Sequence, residues 1–265
     1  MNQAPIGIFD SGIGGLTVTR AVLDRLPRES TIYFGDTARV PYGPKSPDTV
    51  RRYSLEIIDW LIAQGVKAVV VACNTSSAHA LGALEERAPV PVLGVIEPGA
   101  RAAARATRGG TIGVIGTPGT IRSHAYTRAI EAMLPAARVE QVSCPLFVPL
   151  VEEGWFEHPA TRLVAREYLE PLLRRGLDTL VLGCTHYPLL KPLLHEVLDP
   201  EVVLIDSAEE TAKALDALLS DQGIEGSSAS PTHRFAVSDD EHRFLEVGSR
   251  FVGEKLRDVE VVALG

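Results

Sequence analysis

Short apolar runs alternate with helix-length stretches along this chain, and that alternation narrows the folds open to it. Residues 6–9, 31–34, 68–72, 92–95, 111–115, 139–143, 179–182 and 202–205 read as strands. Most are continuous apolar runs, the pattern of strands covered on both faces, as in parallel sheets. Parallel strands need crossovers, and the intervening stretches are long enough to be helices. The fold class expected is therefore α/β. At 265 residues and 45% hydrophobic content, the chain suits two small domains or one large α/β unit.

The two halves echo each other. Val69-Val-Val-Ala-Cys73-Asn-Thr resembles Leu180-Val-Leu-Gly-Cys184-Thr-His. Each is an apolar strand, a small residue, a cysteine and polar residues that open a helix. Ile6-Gly-Ile-Phe-Asp-Ser-Gly likewise echoes Ile112-Gly-Val-Ile-Gly-Thr-Pro-Gly. The spacing of the two cysteines is roughly one small domain of chain. Duplication of an α/β unit would place a cysteine at matching strand ends.

Open parallel sheets bind ligands beyond the carboxyl ends of their strands. After the first strand comes Asp10-Ser-Gly-Ile-Gly-Gly-Leu-Thr17, whose glycines free backbone N–H groups ahead of a helix, a setting for an anion. It is neither a dinucleotide fingerprint nor a P-loop. After the second comes Gly35-Asp-Thr-Ala-Arg-Val-Pro-Tyr-Gly-Pro-Lys45, where Tyr42 offers a hydroxyl and Gly43 an N–H; a helix starts near Pro47. After the third comes Cys73-Asn-Thr-Ser-Ser-Ala-His79. A thiol at a helix N-terminus is expected to have a lowered pKa. Cys184-Thr-His-Tyr-Pro188 repeats the arrangement. A free cysteine is more often a small buried apolar residue, and Cys144, followed by Pro145, reads as structural.

What raises Cys73 and Cys184 together is stereochemistry. Inverting a carbon centre requires a base on one face and an acid on the other, and two equivalent thiols serve reversibly. Closure of two domains around them would exclude water. Cys184 with His186 lacks the further ligands of a metal site, and no motif supports a Cys–His hydrolase.

Taken together, Phe9-Asp-Ser-Gly-Ile-Gly-Gly-Leu-Thr17, Gly35-Asp-Thr…Pro-Tyr-Gly43, Ala72-Cys-Asn-Thr-Ser-Ser-Ala78 and Gly183-Cys-Thr-His-Tyr-Pro-Leu189 resemble the motifs of bacterial glutamate racemases, within the aspartate/glutamate racemase superfamily. The likeness runs in order along essentially the whole chain and is loosest after Ser220. It implies two pseudo-symmetric α/β domains with mainly parallel sheets and the active site in the cleft between them. Residues 1–97 with 208–265 would form the first domain and 98–207 the second. It implies cofactor-independent interconversion of L- and D-glutamate that supplies D-glutamate for peptidoglycan.

The resemblance also carries residue roles. Cys73 and Cys184 match the catalytic cysteines, Cys184 acting on the L-isomer and Cys73 on the D-isomer. Asp10, Glu152 and His186 match residues that assist proton transfer or hold the thiolates. Asp10, Ser11, Pro41, Tyr42, Gly43, Asn74, Thr75, Thr185 and His186 match substrate contacts, with Thr117 and Thr120 as second-rank additions. No metal and no cofactor are expected. No motif contributes a run of Arg or Lys, so both carboxylates of glutamate would rest on backbone N–H groups, helix N-termini and neutral side chains. Such donors would also stabilise charge on the α-carboxylate as the weakly acidic α-proton leaves.

Composition closes off other classes. Lys plus Arg is 26 against 34 Asp plus Glu, a net charge of −8, unsuited to general nucleic-acid binding. Three cysteines make no disulfide framework. The start, Met-Asn-Gln-Ala-Pro, lacks a signal-peptide pattern and no apolar stretch is long enough to span a membrane, so a cytoplasmic protein is expected. A homodimer is an open reading. The alternatives are an aspartate or hydantoin racemase, a maleate isomerase, a pyridoxal phosphate racemase, and a non-catalytic binding protein for a small acid. A Cys73–Cys184 disulfide is a further alternative. In the tail, a Gly/Ser-rich loop at 223–231 precedes a strand at 233–237 and a helix from about Asp239. Ser238 and Glu241 form the expected capping box. A last strand is expected at 259–263, with the tail packing back on the first domain.

Overall fold

The computed structural model describes residues 2–256 and 258–264; Met1 and Gly265, the ends of the expected first domain, lie outside them. Ten strands are present among the described residues: β1 (Ile6–Asp10), β2 (Thr31–Gly35), β3 (Ala68–Val71), β4 (Val92–Gly94), β5 (Thr111–Gly116), β6 (Arg138–Ser143), β7 (Leu177–Gly183), β8 (Val203–Asp206), β9 (His233–Val237) and β10 (Val259–Val261). They form two sheets, ordered β10-β9-β2-β1-β3-β4 and β6-β5-β7-β8, and every pairing is parallel. β1, β2, β3 and β5 are buried along their whole length, so their unbroken apolar runs reflect cover on both faces.

The order β2-β1-β3-β4 recurs as β6-β5-β7-β8, which is the duplication anticipated from the echoed motifs. In each copy the chain turns one way from the first strand to the second and then returns past it to the third. A crevice therefore opens between the carboxyl ends of β1 and β3, and another between those of β5 and β7. Cys73 follows β3 and Cys184 follows β7. β9 pairs with β2, Tyr33 opposite Phe235, and β10 pairs with β9, so the tail extends the first sheet.

One large buried cluster runs between the sheets. Ile6, Ile8 and Leu16 belong to it along with Leu180, Leu182, Leu190 and Leu215. Separate clusters fill the outer sides, Phe9, Ile32, Ile57 and Leu61 on one and Ile112, Val114, Tyr126 and Ile130 on the other.

Helix starts show where local reading holds. Ser46 accepts the Thr49 N–H at 3.3 Å and caps Pro47–Ala63, with Pro47 in the first turn. The tail helix departs from expectation. It spans Glu241–Val252 and is capped by Asp240, which accepts the Arg243 N–H at 3.0 Å. Ser238 does not cap it, because its hydroxyl instead donates to Asp36 at 2.8 Å and accepts the Ala38 N–H at 2.9 Å. No helix among the described residues is long and apolar enough to cross a membrane.

Candidate active site

The carboxyl ends of both sheets converge on one cleft. The segment after β1 contributes Ser11, Gly12 and Ile13; that after β2 contributes Val40, Pro41, Tyr42 and Gly43. Cys73, Asn74 and Thr75 follow β3, Thr117 follows β5, and Cys184, Thr185 and His186 follow β7. Val148 and Glu152 come from the helix Phe147–Glu152, after β6. Thus all the expected site residues line the cleft except Asp10 and Thr120. Gly12 comes from the glycine loop expected to face a ligand, whereas the apolar Ile13, Val40 and Val148 also line the cleft and nothing in their type marks them in the sequence.

Asp10 lies behind the cleft wall, 1% exposed. Its Oδ2 accepts the Gly12 N–H at 2.9 Å, so the glycine loop turns an amide onto its own carboxylate rather than leaving it for a ligand. Burial raises the Asp10 pKa, opposed by the charge of His186 and by the N–H groups of Gly12, Gly15 and Ser11. Thr120 sits one layer back, bridging Thr75 at 3.3 Å and Thr117 at 3.1 Å, while Thr75 and Thr117 meet directly at 2.9 Å. These bonds tie the segment after β3 to the segment after β5.

Close backbone approach makes the cleft possible. A Cβ on Gly14 would stand 2.3 Å from Thr185 Oγ1 and 2.4 Å from His186 Nδ1, so only glycine lets the first loop meet the second cysteine's segment. Thr17 secures the contact by donating to the Thr185 carbonyl at 2.9 Å.

Tyr42 lines the cleft, and its hydroxyl donates to the buried carboxylate of Asp36. Asp36 also receives Arg39 Nε at 2.7 Å and the Ser238 hydroxyl. This network pins the Tyr42-Gly43 segment.

The two thiols sit in unlike surroundings. Cys73 caps the helix Asn74–Arg87, its sulfur accepting the Ser76 N–H at 3.4 Å. The expected lowering of its pKa is nonetheless overturned. Burial and then the Asp10 carboxylate push the thiol up to about 11, against the opposing Ser76 N–H and the Ser11 and Ser76 hydroxyls. Desolvation of the charged form outweighs the helix end. On the other side, His186 Nδ1 lies 3.9 Å from Cys184 Sγ and its Nε2 lies 2.9 Å from Glu152 Oε1. Burial works against the imidazolium, but the bonds to Cys184 and Glu152 override it and lift His186 to about 10. Burial likewise opposes the Glu152 charge, and His186 and Arg243 hold its carboxyl below the usual range. A protonated His186 donates from both ring nitrogens, one of them aimed at the Cys184 sulfur.

The tail helix supports this pair. Arg250 donates to the Glu152 carbonyl at 2.8 Å, Arg243 approaches the Glu152 carboxylate at 3.8 Å, and the Phe251 ring stands edge-on to His186 at 5.8 Å. No signal in the sequence tied these residues to the site. Cys144 is fully buried, outside the cleft wall, with its thiol directed at the Val142 carbonyl at 3.7 Å. All three cysteines are free. Among the described residues, no group of three His, Cys, Asp or Glu is placed to hold a metal ion. Among the described residues no lysine or arginine lines the cleft, so they present neither a Schiff-base amine nor a cationic clamp.

The arrangement can place a thiol on each side of a small acid held by neutral donors. A glutamate racemase of Geobacter metallireducens is 56% identical over 98% of this chain and 96% of its own length. A glutamate racemase isoform of Bacillus anthracis superposes with a TM-score of 0.96 at 40% identity, covering 100% of this chain and 99% of that one. A Francisella tularensis glutamate racemase, solved in complex with D-glutamate, gives 0.94 at 40% identity with the same coverage. The family model described as Asp/Glu/Hydantoin racemase matches residues 6–215. This chain belongs to the Asp/Glu/Hydantoin racemase family.

Proposed function

We propose that this protein interconverts L- and D-glutamate without a cofactor, Cys73 and Cys184 acting on opposite faces of the α-carbon. The observation that carries the reading is the placement of the two cysteines: each follows the equivalent strand of a repeated fold, and both line one cleft. The relatives that match over nearly the whole chain are glutamate racemases, which favours glutamate over aspartate, hydantoins or maleate.

In the L-to-D direction, the Cys184 thiolate removes the α-proton and becomes a thiol. Neutral donors in the cleft, such as Asn74, Thr75 and Thr185, hold the carboxylates and take up the charge that develops on them. The Cys73 thiol then delivers its proton to the other face and is left as thiolate; the reverse direction exchanges the two roles. The unlike surroundings suit this division. Cys73, pushed up to about 11, rests as a thiol ready to donate. His186, held protonated between Glu152 and Cys184, aims a ring N–H at the Cys184 sulfur. Asp10 acts from behind the wall on Cys73 and His186 rather than on the substrate.

We divide the chain into residues 1–97 with 208–265 and residues 98–207. The strand assignment supports this, since the first sheet draws on both flanks and the second on the middle. The role implied is supply of D-glutamate for peptidoglycan, in the cytoplasm, where a reducing environment keeps such thiols free.

Purified protein with no additions should take L-glutamate to zero optical rotation, and a panel of aspartate, hydantoins and maleate should give far lower rates. EDTA and hydroxylamine should leave the rate within about twofold, because thiol proton transfer needs neither a metal nor a carbonyl cofactor. Inactivation by hydroxylamine would contradict the cofactor-free reading. Binding of glutamate without loss of rotation would contradict racemisation.

A further inference from the structure

Tyr126 lies in the helix Ala125–Met133, away from the cleft wall, and is wholly buried. Its ring is held between two glycine backbones. A Cβ on Gly183 would come within 3.1 Å of it, and one on Gly99 within 3.3 Å. Its hydroxyl crosses to the first half of the chain and donates to Asn74 Oδ1 at 2.7 Å. Tyr126 therefore packs against the residue before Cys184 and holds the side chain of the residue after Cys73.

Asn74 lines the cleft and is only 3% exposed, yet its Nδ2 is buried with no hydrogen-bond partner among the described residues. A buried unsatisfied donor is costly unless something else completes it. An amide side chain has an acceptor end and a donor end of nearly the same shape, and packing alone selects between them weakly. A hydroxyl that donates to the oxygen makes that selection. It leaves the NH2 as the free end, in a cleft where no lysine or arginine among the described residues stands to meet a carboxylate.

We propose that Tyr126 is a positioning residue for this reaction: by fixing the Asn74 amide through its oxygen, it keeps Nδ2 available to donate to a carboxylate of the bound substrate. This rests on the reading that glutamate occupies the cleft. Tyr126 touches neither the substrate nor the thiols' protons; it determines which end of Asn74 the substrate meets.

The test is a double-mutant cycle on the full-length protein. Wild type, Tyr126→Phe, Asn74→Ala and the double variant are compared for kcat, KM and calorimetric Kd with glutamate, alongside Asn74→Asp. Phenylalanine keeps the ring between Gly99 and Gly183, so melting temperature should hold. Tyr126→Phe should raise KM and Kd about tenfold, the scale of a misdirected hydrogen bond to a charged group, and change kcat much less. In the Asn74→Ala background the same change should cost less than about twofold, since no amide remains to orient. Asn74→Asp keeps the acceptor for Tyr126 but sets a carboxylate against the substrate, and should lose at least about a hundredfold in affinity. The proposal is overturned if Tyr126→Phe binds glutamate like wild type, or if it costs the same factor with Asn74 removed. It is equally overturned if Asn74→Asp binds normally. Should Tyr126→Phe fail to fold, Asn74→Asp alone decides which end of the amide faces the substrate. Wild-type protein that binds glutamate without racemising it would sink the functional reading and leave the cycle readable through Kd; wild-type protein that does not bind glutamate would sink both.

Discussion

Replacing either Cys73 or Cys184 by serine should cut racemisation by about a thousandfold or more, while each variant keeps half of the chemistry. A serine hydroxyl is far too weak an acid and its anion too scarce to replace a thiol in either role. Proton removal on the intact face remains possible. A glutamate analogue with a leaving group on the β-carbon exposes it. The base takes the α-proton, the electron pair forms the α,β double bond, the leaving group departs with its electrons, and no second protonation is needed. Cys73→Ser should eliminate from the L-like analogue through Cys184, and Cys184→Ser from the D-like analogue through Cys73. Product release followed by absorbance separates the four combinations. Equal behaviour of both variants toward both isomers would refute the facial assignment, whereas full racemisation by either would refute the two-thiol reading.

The second large effect is expected at Asp10. Burial first and then the Asp10 carboxylate hold the Cys73 pKa up, and the charge of His186 lowers the Asp10 pKa against its own burial, although Asp10 never reaches the cleft. Asp10→Asn preserves shape and the oxygen that accepts the Gly12 N–H, but removes the charge. kcat/KM should fall by about 10²-fold, the usual scale for losing an acid–base partner. Alkylation of Cys73 at fixed pH should move the other way. With the neighbouring carboxylate gone, the thiol pKa falls from about 11, and a larger thiolate fraction reacts at pH 8. Mass spectrometry of the labelled peptide gives the rate. A merely structural Asp10 would lose activity together with melting temperature and show no selective gain in Cys73 labelling; a fully active variant would reduce Asp10 to a loop residue.

These effects divide along a line that also separates what the sequence shows from what it hides. Both cysteines are legible because the signal is local: an apolar strand, a small residue, a thiol, then polar residues opening a helix. The repeated strand order turns that local likeness into matching positions beside one cleft. The electrostatics of Cys73 are not local. Its helix end is visible in Cys73-Asn-Thr-Ser, but its burial and its Asp10 neighbour arise only when β1 and β3 pair. The same holds for Ser238. Its capping-box spacing is correct, yet Asp36, some 200 residues earlier, claims the hydroxyl. Tyr126, Arg250 and Phe251 support the site from sequence positions far from the residues they touch, and their types are those of any buried or surface helix.

The central claim is that two different groups serve the two faces of one carbon, and isotope transfer from solvent tests it most directly. In deuterium oxide, conversion of unlabelled L-glutamate should be stopped at a few per cent and both isomers analysed by mass. The proton removed stays on one sulfur while the deuteron delivered comes from the other, which has exchanged with solvent. Early D-glutamate should therefore carry deuterium at the α-carbon, recovered L-glutamate should carry almost none, and the same should hold starting from the D-isomer. Early product that retains the substrate's own α-proton would mean that a single group takes and returns it, and would contradict the assignment of Cys73 and Cys184 as a pair.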